Sequence, residues 1–210
     1  MNIIVIGAPG SGKGVQCELL SAALHLPHIS AGQLLRDEIA RKTSAGREAH
    51  SSMKHGQYVP TPLIMKLLER RLKRTDAKKG FILDGCPRDI EQARELHNRI
   101  PLDIVIFLHV PPRIIRSRLA NRRQCTSCGH IETSSQKKCS KCGATLARRS
   151  DDDPRIVNKR IALYKQTITP ILNYYQSERI LHRINGARTI ERVHRDVMTA
   201  IQRARRASSR

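Results

Sequence analysis

Aromatic side chains are scarce: the 210 residues include no tryptophan, two phenylalanines and four tyrosines, 3% in all. Recognition of nucleic acid by base stacking needs several exposed rings, so that mode has little to work with here. Acidic residues are also few, 18 Asp and Glu against 39 Lys and Arg, which gives a formal charge of +21. Such a balance points to anionic partners, namely nucleotides, nucleic acid or an acidic surface, although much of it is expected to be solvated surface. No apolar run approaches the roughly 20 residues needed to span a bilayer. The opening MNIIVIGAPG lacks a basic leader and reads as a β-strand, so no membrane partner and a cytoplasmic location are expected.

Hydrophobic residues make up 39% of the chain and charged residues 27%, enough for one compact domain with small inserted subdomains. The six cysteines are unevenly placed, with four between Cys125 and Cys142. In a cytosolic chain that clustering suggests a metal before a disulfide. Cys17 and Cys86 stand alone and read as small apolar packers.

Strand and helix patterns alternate. Asn2 to Ile6, Gly80 to Asp84, Asp103 to Leu108 and Ile180 to Ile184 read as strands. Helices are expected over Gly14–His25, Asp89–Asn98, Pro154–Ser177 and onward from Thr189. Between Ser30 and Arg74 the pattern is helical, with breaks expected at Gly46, Gly56 and Pro60-Thr61-Pro62. Such alternation predicts a parallel sheet covered by helices on both faces. Residues 123–150 interrupt it and form an insertion, while the basic tail from Arg203 to Arg210 is expected to fray.

Gly7-Ala8-Pro9-Gly10-Ser11-Gly12-Lys13-Gly14 follows a strand and opens a helix. Glycines let successive backbone N–H groups converge on phosphate oxygens, and the helix N-terminus adds its positive end. Lys13 is placed to bridge β- and γ-phosphates. Gly14 stands where such loops commonly carry a metal-binding Ser or Thr, so the carboxylate of Asp84 becomes the candidate anchor for Mg²⁺, through water. A helix N-cap is the alternative role for Asp84.

The loop, together with Ile29-Ser30-Ala31-Gly32-Gln33-Leu34-Leu35-Arg36 and Leu83-Asp84-Gly85-Cys86-Pro87-Arg88, resembles the adenylate kinases over roughly residues 1–200. That resemblance implies an α/β fold: a P-loop kinase core with a five-stranded parallel sheet, a helical AMP-binding insertion and a small zinc-bound lid. The core would comprise residues 1–29, 60–121 and 160–210, the insertion 30–59 and the lid 122–159. The implied reaction is reversible transfer of the terminal phosphoryl group of MgATP to AMP, giving two ADP, by a monomer.

By the same resemblance Lys13, Asp84, Arg88, Arg122, Arg149 and Arg160 would be catalytic. ATP would meet Gly10, Ser11, Gly12, Lys13, Gly14, Val15, Arg118, Arg122, Ile131, Glu132 and the backbone of Arg188. AMP would meet Ala31, Arg36, the Gln57-Tyr58-Val59 segment, Gly85, Arg88, Gln92, Arg149 and Arg160. Planar guanidinium forks suit charge spread over phosphoryl oxygens. The sequence departs from the family at Val15 and Ala31, each in place of a usual Thr, at Gln33 for Asp and at Cys86 for Phe. Ile131-Glu132 also stands where the family often has a Thr-Tyr or Val-Tyr pair over the adenine of ATP. Ala31 and Gln33 bear on AMP affinity and leave CMP or UMP as alternative acceptors.

Cys125-Thr126-Ser127-Cys128 and Cys139-Ser140-Lys141-Cys142 are two C-x-x-C knuckles separated by ten residues. Two such pairs complete a tetrahedron, which suits a structural zinc, with iron or two disulfides as the other possibilities. The zinc would staple a segment too polar to build a core, and Mg²⁺ would arrive with ATP. A zinc ribbon on a +21 chain also describes a nucleic-acid-binding module, the competing reading, which leaves the phosphate loop unexplained.

Overall fold

The computed structural model describes residues 1–133 and 136–208. Five parallel strands form the central sheet: β1 (Asn2–Gly7), β2 (His28–Ser30), β3 (Phe81–Asp84), β4 (Ile104–His109) and the later strand Leu181–Asn185, with β2-β3-β1-β4 in order and the last strand outside β4. Successive residues of a strand face opposite sides of its sheet, so strands apolar at every position must be covered on both. Ile4, Ile6, Leu83, Val105 and Phe107 enter the core beneath one set of helices. Ile3, Val5, Ile82, Ile104 and Ile106 enter the core on the other face.

The helices are α1 (Lys13–Leu24), α2 (Ala31–Ala40), α3 (Ser44–Lys54), α4 (Thr61–Leu72), α5 (Ile90–Arg99), α6 (Pro112–Ala120), α7 (Pro154–Ser177) and α8 (Ile190–Ser208). Several start where a side chain satisfies an orphan N–H group. Ser30 caps α2 through Gln33 N, Thr43 caps α3 through Gly46 N, and Asp89 caps α5 through Gln92 N. α1 and α8 cover one sheet face; α4, α5 and α7 lie on the other.

Three expectations need correction. Gly46 does not break a helix but lies inside α3; a Cβ there would sit 2.1 Å from the Glu38 carbonyl oxygen, so the glycine lets α3 press against α2. The break falls just before, at Lys42, which has φ 54°. The basic tail continues as helix through Ser208, while Ser209 and Arg210 lie outside the described residues. The short strand β2 escaped prediction.

The insertion folds as a separate three-stranded antiparallel sheet. Its strands are β5 (Arg122–Cys125), β6 (Ile131–Thr133) and β7 (Leu146–Ala147), with β5 in the middle, so Leu181–Asn185 is β8. Ser134 and Ser135, within the expected lid, fall outside the described residues. Its small core is Cys125, Cys139 and Leu146.

Candidate active site

A cavity of about 770 Å³ lies beyond the C-terminal ends of the strands, where open α/β sheets bind ligands. The loop between β1 and α1 makes its floor. Gly10 and Gly12 have φ of 79° and 92°, and a Cβ on Gly10 would strike the Leu119 side chain at 2.8 Å. Lys13 Nζ donates to the carbonyls of Gly7 and Ala8, each at 2.9 Å. Burial lowers the Lys13 pKa to about 8, against the opposing pull of Asp84. Ser11 Oγ is buried without a hydrogen-bond partner among the described residues. An unsatisfied hydroxyl on a turn of converging N–H groups fits an anionic ligand.

Asp84 closes β3 at the cavity wall. Burial alone would raise its pKa, but neighbouring His28 and Lys13 hold it below the usual carboxylate range. Its Oδ2 lies 3.8 Å from where a Gly14 Cβ would be, so the carboxylate faces the position at which other phosphate loops carry a hydroxyl. His28, from β2, places Nε2 3.8 Å from Asp84 Oδ2, a residue that sequence reasoning passed over.

Arginines converge from four directions. Arg88 donates from Nε to Gly85 O at 2.9 Å and sits 5.6 Å from the centroid of the Tyr58 ring. Arg36 is held by Gln33, whose Oε1 accepts from Nε at 3.2 Å and from Nη2 at 2.8 Å. Burial and then Arg149 bring Arg36 down to about 10. Arg118 reaches Ser11 O at 3.3 Å and Gly186 O at 3.1 Å, tying the loop to the turn after β8.

The lid arginines rest on carboxylates that the sequence reading missed. Arg149 grips Asp151 with Nε and Nη2 at 2.8 and 2.7 Å, and Arg160 adds a contact at 2.9 Å. Burial would raise the Asp151 pKa, yet Arg149 and Arg160 hold it well below the carboxylate range. Arg122 forms a fork on Asp152, with Nε to Oδ2 at 2.7 Å. The signal was visible as Asp151-Asp152-Asp153, one residue after Arg148-Arg149.

Most of the expected contacts reach this one cavity: Gly10 to Val15, Arg36, Gln57, Asp84, Gly85, Arg88, Arg118, Arg122, Ile131, Arg149, Arg160 and Arg188 all line it. Ala31 and Val59 are instead buried in the core at 1% and 6% exposure. Tyr58 stacks under Arg88 and pairs its hydroxyl with Thr167 at 3.2 Å. Gln92 is buried, and its Oε1 accepts from Arg88 N at 2.9 Å, so it positions the arginine's backbone. Glu132 is engaged within the lid itself, where it accepts from Ser140 N at 2.8 Å. The Arg188 side chain pairs with Asp196.

The family model for adenylate kinase matches residues 5–180. The chain belongs to the adenylate kinase family. It is 36% identical to an adenylate kinase of Thermosipho africanus and 37% identical to one of Desulforudis audaxviator. In each case the match covers 97% of this chain and all of the relative. An adenylate kinase of Archaeoglobus fulgidus is 35% identical over 97% of this chain and 99% of its own length. The chain is therefore a nucleoside-monophosphate kinase, a phosphotransferase that phosphorylates AMP from ATP, with ATP, AMP and ADP as substrates. Among the described residues no helix is long and apolar enough to cross a membrane.

The four lid cysteines could hold a metal ion: their sulfurs all lie within 4.8 Å of one another. Separations of 3.4 Å (Cys125–Cys142), 3.7 Å (Cys128–Cys139) and 3.4 Å (Cys128–Cys142) leave the thiols free, far beyond a disulfide bond. They match the edges of a tetrahedron with metal–sulfur bonds of about 2.3 Å. Backbone N–H groups, first that of Cys128 and then that of Ser127, lower the pKa of the Cys125 thiol, while at Cys128 the backbone N–H of His130 is outweighed by burial and the neighbouring thiols, which raise the pKa.

Proposed function

We propose that MgATP binds against the loop of residues 7–14, AMP binds against the insertion of residues 30–59, and the γ-phosphoryl group passes directly between them. The carrying observation is the convergence of Lys13 and eight arginines on one cavity that also contains the Asp84 carboxylate. An oxygen of the AMP phosphate attacks the γ-phosphorus, and the bond from that phosphorus to the β,γ-bridging oxygen breaks, releasing ADP. Lys13 carries charge on the β,γ side; Arg36 and Arg88 hold the acceptor phosphate; Arg122, Arg149 and Arg160 close on the transferring group from the lid. Positioned positive charge is what this reaction needs, because the protein makes no covalent bond to the phosphoryl group.

Asp84 would hold Mg²⁺ through water, and the ion supplies charge neutralisation on the phosphates. Zinc on Cys125, Cys128, Cys139 and Cys142 would serve the shape of the lid and take no part in the chemistry. Residues 122–159 act as the lid: Ile131 lies over Gly14, and His130 Nδ1 stands 3.2 Å from Glu18 Oε2 of α1. Six free cysteines fit a reducing cytoplasmic setting.

The test is the stereochemical course of transfer from ATP made chiral at the γ-phosphorus. A single in-line displacement inverts configuration, and retention would require a phospho-enzyme and overturn the proposal. A parallel assay with CMP and UMP replacing AMP is expected to give little product, and preference for either would reassign the acceptor.

A further inference from the structure

The nucleotide cavity uses only part of the basic excess, and a second concentration lies at the opposite edge of the sheet. Parallel strands all begin at that edge, and hydrogen bonds lace their starts together: Phe81 N to Met1 O at 3.1 Å, Asp103 N to Asn2 O at 3.1 Å and Val105 N to Ile180 O at 2.8 Å. Helix α8 returns to the same edge, where Arg205 Nε lies 3.4 Å from Met1 Sδ. Burial and then the proximity of Arg203 lower the pKa of His182 on β8. The edge therefore gathers Lys78 and Lys79 before β3, Arg179 before β8, and Arg203, Arg205 and Arg206 at the end of α8, all exposed.

The neighbouring carboxylates are already engaged. Asp76 is forked by Arg71 at 2.9 and 2.7 Å, Asp103 accepts from Asn2 N at 2.5 Å, and Glu178 stands 3.9 Å from His97. Among the described residues Lys78, Lys79, Arg179, Arg203 and Arg206 form no ion pair. The large exposed apolar side chains, Leu19 and Ile190, lie on the middle of α1 and the start of α8, away from this edge. Among the described residues the patch thus has charge, but no exposed large apolar side chain to wedge into a bilayer and no exposed Phe, Tyr or Trp ring on which an unpaired base could stack.

We propose that this basic pole binds the phosphate backbone of double-stranded nucleic acid, independently of sequence and apart from the nucleotide cavity. Contacts of that kind release condensed counterions, so affinity falls steeply with salt.

The experiment measures fluorescence anisotropy of a labelled duplex of about 20 base pairs across a KCl titration. The unmodified protein is expected to bind with a log–log salt slope of about −4 or steeper. A variant carrying Lys78→Gln, Lys79→Gln, Arg203→Gln and Arg206→Gln should lose roughly three to four units of that slope, since each phosphate contact contributes about 0.9. Its ADP formation from MgATP and AMP should remain within about twofold, because none of the four residues lines the cavity. A control removing the same charge elsewhere, through Lys54→Gln, Lys66→Gln, Arg113→Gln and Arg116→Gln, should change the slope by less than about one unit. Equal loss in the control would mean diffuse charge and overturn the assignment to this pole. So would no binding at about 50 mM KCl, tighter binding of the single strand, or capture by phosphatidylglycerol vesicles without capture of the duplex.

Discussion

At the scale of single residues, Lys13 carries the clearest pH signature. Its ammonium is buried, and its pKa is brought down to about 8 by burial against the pull of Asp84. Only the charged form attracts the phosphates. In the free enzyme that form is present below about pH 8 and is lost as pH rises through it. The kcat/KM for MgATP should therefore fall above pH 8, approaching tenfold per unit. The kcat profile reports the bound complex, where the phosphates favour the ammonium, so its limb should lie further alkaline. In Lys13→Arg the guanidinium keeps its charge, and the limb near 8 should vanish even if the rate is lower. A flat profile to pH 10 in the unmodified enzyme would remove Lys13 from phosphate binding. Arg88 invites a second test, because its Nε is tied to Gly85 O and its plane lies over Tyr58. Arg88→Ala should lower kcat by two to three orders of magnitude, about what loss of one oriented donor costs. Arg88→Lys should recover little, since an ammonium cannot reproduce the fork.

At the scale of elements, the lid is held by the Arg122–Asp152 fork and by the four thiols. Asp152 is fully buried, and Arg122 is nearly so, at 11% side-chain exposure. Asp152→Ala would leave that guanidinium without its partner, which costs about 3 kcal/mol. In a chain of this size the melting temperature should drop by roughly 6–12 °C; an unchanged Tm would mean that water replaces the carboxylate at no cost. Cys125→Ser should lose the metal in elemental analysis and expose residues 123–150 to protease while the main sheet stays folded. That outcome follows from a core that, among the described residues, consists of Cys125, Cys139 and Leu146 with Ala144 against them, too small to offset ordering the backbone. How much of these elements could be read beforehand depended on whether the cause was local. The long apolar strands, the phosphate loop and α7 announce themselves within a few residues. β2 does not: it spans His28–Ser30, and its pairing with β3 alone makes it a strand. Gly46 looked like a breaker because its reason, the Glu38 carbonyl, lies on another helix. The arginines were legible from their places in motifs, whereas their partners Asp151 and Asp152 acquire meaning only once the lid brings Arg122 and Arg160 beside them.

At the scale of the whole molecule, the excess of positive charge opposes the folded state. A net +21 repels itself on folding, and the repulsion is concentrated in the cavity. There burial, with neighbouring guanidinium groups adding to it, lowers Arg36 and Arg160 to about 10 each. Two different remedies follow, and they can be separated. Screening acts on every charge, because the Debye length shrinks from about 10 Å at 0.1 M salt to about 3 Å at 1 M. Occupancy acts only where an anion fits. In the ligand-free enzyme NaCl should raise Tm gradually across that range, and Lys13→Ala should follow the same curve from its own baseline. Sulfate at millimolar concentration, too dilute to screen much, should raise Tm of the unmodified enzyme by settling in the loop of residues 7–14, and should do so far less in Lys13→Ala. MgATP at about 100 times its Kd should add about 2.7 kcal/mol, roughly 5–10 °C in Tm, again lost in the variant. A Tm that falls with NaCl would show that attractive ion pairs outweigh the repulsion. Equal responses of both proteins to millimolar sulfate would place the anion somewhere other than the loop.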